Sequence, residues 1–177
     1  MNMKNSQERT LIIFKPDAVQ RGIVGEILAR FEKAGFKIVG SKMLKPDYDH
    51  YFKHYENIGK MVSRRGQKVF DITLEMMNEG PVIAFVLEGV EVVAMVRKMV
   101  GTTEPKSALP GTIRGDYSHM SFAYADAEEV GIPNILHASG DPAEAAAEIA
   151  HWFSENELFE YETAHERFTQ KRKHHKK

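Results

Sequence analysis

At 177 residues the chain has room for one ordinary domain of about 100 to 200 residues, not for two substantial cores. Apolar residues make up 42% and charged residues 28%, a globular composition, and a net charge of −1 provides no overall field to attract nucleic acid. The absence of cysteine excludes a disulfide framework and thiolate chemistry.

The N-terminus, MNMKNSQERT, lacks the apolar segment of a secretory signal, and no stretch approaches the ~18 apolar residues of a membrane span. A cytoplasmic protein with no membrane contact is expected. Five of the seven residues from Lys171 to Lys177 are Lys or Arg, which reads as a solvated basic tail on a mildly acidic body.

In chain order, Thr10 to Lys15 (TLIIFK) is a short apolar run stopped by Pro16-Asp17, a buried strand that ends in a lysine. From Asp17 to Ala34, Val19, Ile23, Ile27, Leu28 and Phe31 recur at helical spacing, with Gly22 and Gly25 predicting a break or close packing. Lys37 to Leu44 is a second strand, limited by Pro46, and Asp47 to Tyr55 a short helix. A polar stretch from Glu56 to Gln67 leads to a helix through Val69, Ile72, Leu74, Met76 and Met77.

Val82 to Leu87 (VIAFVL) is the clearest strand, followed by a helix over Glu91 to Val100 and a loop from Gly101 to Gly115. Asp116 to Gly131 fits no single period. Asn134 to His137 is a short strand, and Asp141 to Phe153 a helix with Asp141 as N-cap and Pro142 in its first turn. Strands and helices in this alternation predict a single α+β domain over residues 1–177, a ferredoxin-like sandwich with a four-stranded antiparallel sheet under covering helices.

Phosphate handling needs cations and donors converging on one cleft, and Lys15, Arg97, Thr103 and Arg114 all stand at element ends or in loops. In GTIRGDY, glycines flank Thr112-Ile113-Arg114 and let a tight turn aim the guanidinium inward. No G-x-x-x-x-G-K-S/T or G-x-G-x-x-G cradle is present, so side chains must hold any nucleotide. His137 is the best nucleophile, because a neutral imidazole can carry a group between two half-reactions. Ser139 lies two residues on, and Glu148 on the next helix can return to the strand end and fix the ring's tautomer. His50 and His54, at i and i+4 with no third ligand in view, read as a solvated helix face.

ERTLIIFKPDAVQRGIVGEI, PGTIRGDY and NILHASGD together resemble the nucleoside diphosphate kinase family, over about Glu8 to Tyr161. The resemblance implies a ferredoxin-like core, Mg²⁺ held mainly by nucleotide phosphates, nucleoside triphosphates and diphosphates as partners, homo-oligomers, and ping-pong transfer of a γ-phosphate through a phosphohistidine. Position by position, it makes His137 the phosphorylated residue and Glu148 its support. Lys15 and Asn134 contact sugar and phosphates, Arg97, Thr103 and Arg114 hold the phosphates, and Tyr55 lines the site.

Gly140 stands where the family has an aspartate, and the segment between Tyr55 and Gly80 is longer by about six residues. Counting back from Gly80-Pro81 places the base-contacting residue at Val69, with Phe70 beside it; on a helix the two point about 100 degrees apart. A second extension of about ten residues, within SHMSFAYADAEEVGIP, precedes Asn134 and is expected to cover the nucleotide or alter a subunit contact. The rival reading is a non-catalytic ferredoxin-like module for nucleotide or RNA. It expects aromatics exposed on central strands and a basic face, which TLIIFK, VIAFVL and the acidic body do not offer.

Overall fold

The computed structural model describes residues 7–169; the basic run from Lys171 lies outside them. Strands β1 (Gln7–Phe14), β2 (Lys37–Leu44), β3 (Val82–Val90) and β4 (Leu136–Ala138) form one sheet in the order β2-β3-β1-β4, with every neighbouring pair antiparallel. This is the ferredoxin-like arrangement expected from the alternation of elements. Val82 to Leu87 proves to be the front two-thirds of a longer strand that runs on through Val90.

β1 is central, and its alternating side chains enter two cores. Leu11 and Ile13 pack with Val39, Tyr51, Phe70 and Trp152 on one face, whereas Ile12 and Phe14 pack with Ile27, Phe31, Val96 and Ile113 on the other. Ile13 pairs with His137 across the β1–β4 ladder, so His137 projects onto the first face. Its neighbours Leu136 and Ala138 turn into the second core.

The helix anticipated over Asp17 to Ala34 is two, α1 (Pro16–Gln20) and α2 (Val24–Lys33). The break falls at Gly22, whose φ of +67° is a left-handed conformation that side chains resist. After β2, α3 (Tyr48–Phe52) runs into a π-helical segment, Lys53–Ile58, and the stretch expected to be irregular then forms α4 (Met61–Arg65) before α5 (Gln67–Asn78). Between β3 and β4 lie α6 (Val92–Val100), α7 (Ile113–Tyr117) and α8 (Phe122–Glu128). α7 closes part of the expected loop, and α8 orders the stretch that showed no period.

α9 (Pro142–Trp152) begins as expected: the Asp141 carboxylate accepts from the Ala143 and Glu144 N–H groups, a cap of about 1 kcal/mol. A 3₁₀ turn, Glu155–Glu157, and α10 (Glu166–Thr169) follow.

Candidate active site

The end of β1, the start of β4 and the α7 turn are fastened to one another. Ile135, a β-branched residue, sits at φ +74° in a three-residue turn closed by Leu136 N–H donating to Asn134 O at 2.9 Å. Tertiary bonds hold this strained turn. The Asp17 carboxylate accepts from Ile135 N–H at 3.1 Å, and Lys15 N–H donates to Ile135 O at 3.0 Å. The turn thereby fixes Asn134 and His137 on either side of it.

Arg114, buried on α7, donates to the carbonyls of Asn134 (3.1 Å), Gly101 (3.1 Å) and Leu136 (2.7 Å). The turn that presents it needs Gly115, where a Cβ would collide with the carbonyl oxygen of Leu109. Lys15 Nζ donates to Asn134 Oδ1 at 2.7 Å, and Asn134 Nδ2 donates to Thr103 O at 2.9 Å. Burial, and then the Arg114 charge, push the Lys15 ammonium down to about 8, with Asp17 opposing. Burial and Arg97 likewise lower the Arg114 guanidinium to about 10, still a cation at neutral pH.

Behind the nucleophile candidate, His137 Nε2 approaches the buried Glu148 Oε1 at 2.7 Å, although neither atom has an aligned hydrogen bond. Such contacts commonly tighten only when substrate is bound. Glu148 Oε2 accepts from Ser139 Oγ at 2.6 Å, and that hydroxyl accepts from Leu11 N–H at 3.2 Å. The chain Leu11–Ser139–Glu148–His137 ties the ring to the central strand and leaves Nδ1 as the nitrogen turned to the cleft.

His54 overturns the reading of a solvated helix face. It is 1% exposed, its ring lies 4.6 Å from that of His137 in an edge arrangement, and its Nδ1 accepts from Trp152 Nε1 at 3.2 Å. Burial, then the neighbouring His137, holds its pKa well below the ordinary histidine value, so it adds no charge behind the nucleophile at neutral pH. His50 is also partly buried, stacked on His151 at 4.0 Å and lowered to about 4, chiefly by burial.

The cleft that opens onto His137 has a volume of about 230 Å³. Lys15, Tyr55, Arg97, Thr103, Arg114 and Asn134, all expected from sequence, line it together with Glu148, while Ser139 lies buried behind Glu148. Val69 stands apart, in an adjoining cavity of about 460 Å³, whereas Phe70 is fully buried in the core. Arg64 and Arg65, from α4, also line the cleft and were not anticipated. Their signal was present as a double arginine in the longer segment after Tyr55.

Five cations thus face two carboxylates, Glu144 and Glu148, around an oriented histidine. That balance suits a polyphosphate rather than a metal cluster. His54, His137 and Glu148 bring ligand atoms within 4.8 Å of one another, but two nitrogens and one carboxylate are a poor donor set for Mg²⁺, which prefers oxygens.

A cation-lined cleft around a partly exposed histidine on this fold fits the class of phosphotransferases. Comparison with known sequences is specific: the family model described as nucleoside diphosphate kinase matches residues 8–158. The chain belongs to the nucleoside diphosphate kinase family. It is 44% identical over 154 residues to the nucleoside diphosphate kinase of Borreliella burgdorferi, covering 87% of this chain and 92% of that protein. It is also 44% identical to that of Pyrococcus furiosus over 169 residues, covering 96% and 97%.

Among solved structures, a transition-state mimic of the Borrelia burgdorferi enzyme with bound vanadate and ADP superposes with a TM-score of 0.87 at 43% identity, covering 90% of this chain and 95% of that one. The Halobacterium salinarum enzyme in complex with CDP gives a TM-score of 0.79 at 32% identity, covering 93% and 99%. No helix among the described residues is long and apolar enough to cross a membrane.

Proposed function

We propose that the protein transfers the γ-phosphate of a nucleoside triphosphate to a nucleoside diphosphate by a ping-pong mechanism through a phosphohistidine at His137. The observation that carries this reading is the pairing of His137 Nε2 with Glu148 at the floor of a cleft walled by five cations. His137 Nδ1 attacks the γ-phosphorus in line, the diphosphate leaves, and a second diphosphate takes the phosphoryl group back through the same geometry. As Nδ1 bonds to phosphorus, the ring becomes cationic, and Glu148 stabilises the proton on Nε2.

Lys15, Arg97 and Arg114 hold the phosphates and balance charge that develops on the transferring group, while Thr103 and Asn134 position sugar and phosphate. Tyr55, buried beside the histidine pair, walls the cleft. Mg²⁺, when bound, would neutralise phosphate charge, and Glu148, engaged by His137 and Ser139, would not be free to hold it. Both half-reactions share one pocket, so several bases are accepted. With ATP and a second nucleoside diphosphate varied together, initial rates are expected to give parallel double-reciprocal lines. Intersecting lines would sink the covalent relay.

The depressed Lys15 supplies a pH test. Lys15 grips phosphate only as an ammonium, so kcat/KM, which reports groups of the free enzyme, falls as pH rises through about 8. Bound phosphate favours the ammonium form, which moves the corresponding limb in kcat to higher pH. In Lys15→Arg the kcat/KM limb at about 8 disappears, because a guanidinium keeps its charge. An unchanged limb in that variant would remove Lys15 from the phosphate site.

A further inference from the structure

The cavity of about 460 Å³ that holds Val69 is not separate from the phosphate cleft. The two share Lys15, Tyr55, Met61, Arg65, Thr103 and Asn134. Past this shared polar end the walls are apolar: Val69, Ile72 and Met76 on α5 face Phe122, Val130 and Ile132 of the inserted segment. Its volume falls within the ~300–1,000 Å³ usual for small-molecule sites. For a nucleotide whose phosphates meet Lys15, Arg97 and Arg114, this slot continues the cleft and offers apolar walls to its base.

One wall lacks the ring that stacking requires. Val69 is aliphatic, and Phe70, its aromatic neighbour, is fully buried in the core. At the far end of the cavity the one aromatic lining residue is Phe122. We infer that Phe122, at the start of α8, is the aromatic platform for the nucleobase, supplied by an insertion from the opposite side of the slot to Val69. This inference rests on the nucleotide reading above and adds to it the residue that holds the base.

Phe122 is held in place on several sides. Its N–H donates to Glu104 Oε1 at 2.9 Å, and Ser121 caps the helix by accepting from Tyr124 N–H at 3.2 Å. The Arg65 guanidinium lies 5.0 Å from the ring centroid, a cation–π contact that joins α4 to α8. An ion pair between Lys68 and Glu129 fastens α5 to the end of α8. The two longer segments therefore meet over the slot and build it together. Stacking works on any base, because every base has a π-face, which accounts for acceptance of several bases without edge reading.

The test uses the full chain with Phe122→Ala and Phe122→Tyr, assayed with ADP, GDP and dTDP as acceptors and with pyrophosphate as a base-free competitor. In Phe122→Ala, KM for all three diphosphates is expected to rise about 5- to 150-fold, corresponding to the loss of one base–aromatic stack of ~1–3 kcal/mol. The inhibition constant of pyrophosphate stays at the wild-type value, and Phe122→Tyr restores KM. Unchanged KM in Phe122→Ala, or an equal loss of pyrophosphate inhibition, overturns the assignment. A wild-type protein that neither transfers phosphate nor binds ADP would instead remove the kinase reading itself, which is a separate outcome.

Discussion

His137→Ala is expected to abolish formation of an acid-labile, alkali-stable phosphoprotein from γ-labelled ATP and to lower transfer by at least ~10⁴-fold. Removal of a covalent nucleophile eliminates the two-step route, and what remains is the small acceleration from binding alone. ADP affinity should change little, because Lys15, Arg97 and Arg114 are held by their own networks rather than by the histidine. The side chain is 19% exposed, so truncation leaves a mostly enclosed space that opens onto the cleft. The buried Glu148 loses its close contact with the ring and keeps Ser139, so the urea midpoint should fall only slightly, at unchanged slope. Added imidazole, which fits the vacated space, should recover part of the turnover. Label that persists in the variant would place the phosphoryl group on another residue.

The reasons that this site could be read from sequence, and the reasons that parts of it could not, are physical. Lys15, Arg114, Asn134 and His137 belong to short segments in which the chain itself dictates the geometry: an apolar strand cut by proline, a glycine-flanked turn, and a strand followed by a capped helix. His54 depended on a property that no α-helical period reveals. The π-helical segment begins at Lys53, one residue before it, so the i, i+4 relation of a regular helix does not carry over from His50 to His54, and both His54 and Tyr55 are buried. Reading His50 and His54 as an i, i+4 pair on a solvated face assumed a regular helix there.

α8 escaped for another reason. Phe122 and Ala125 do face inward, but the segment is only Phe122–Glu128, too short for a recurring stripe to emerge above polar neighbours. Its position is fixed by partners distant in sequence, Glu104, Arg65 and Lys68. The strained turn at Ile135 is likewise invisible locally, since nothing about a β-branched residue suggests positive φ. It persists because Asp17 and Lys15, on the first strand–helix junction, hold it.

Arg114→Ala tests how far binding and folding share one side chain. A guanidinium offers five N–H donors, and Nε, Nη1 and Nη2 each donate to one carbonyl, of Asn134, Gly101 and Leu136. Two N–H groups remain for phosphate. Truncation leaves three carbonyl oxygens, two on the Ile135 turn and one at Gly101, with a bond missing in a buried region, so stability should fall by about 3 kcal/mol or more, seen as a lower urea midpoint with an unchanged slope. On the proposed reading the cleft also loses a cation that holds the phosphates, and kcat/KM should fall by about 10²- to 10⁴-fold.

Arg114→Lys separates the two roles. A lysine restores the charge as a single point but cannot span three carbonyls, so it should recover part of the turnover and little of the stability. Equal recovery of both would mean that the charge alone matters and the carbonyl bonds contribute nothing net. An Arg114→Ala variant with wild-type kcat/KM would place phosphate elsewhere. The strained turn at Ile135 gives a further reason to expect coupling: Asn134 O and Leu136 O, on its two sides, both accept from Arg114. Loss of the guanidinium should therefore loosen Asn134 and His137 together, lowering kcat as well as raising KM.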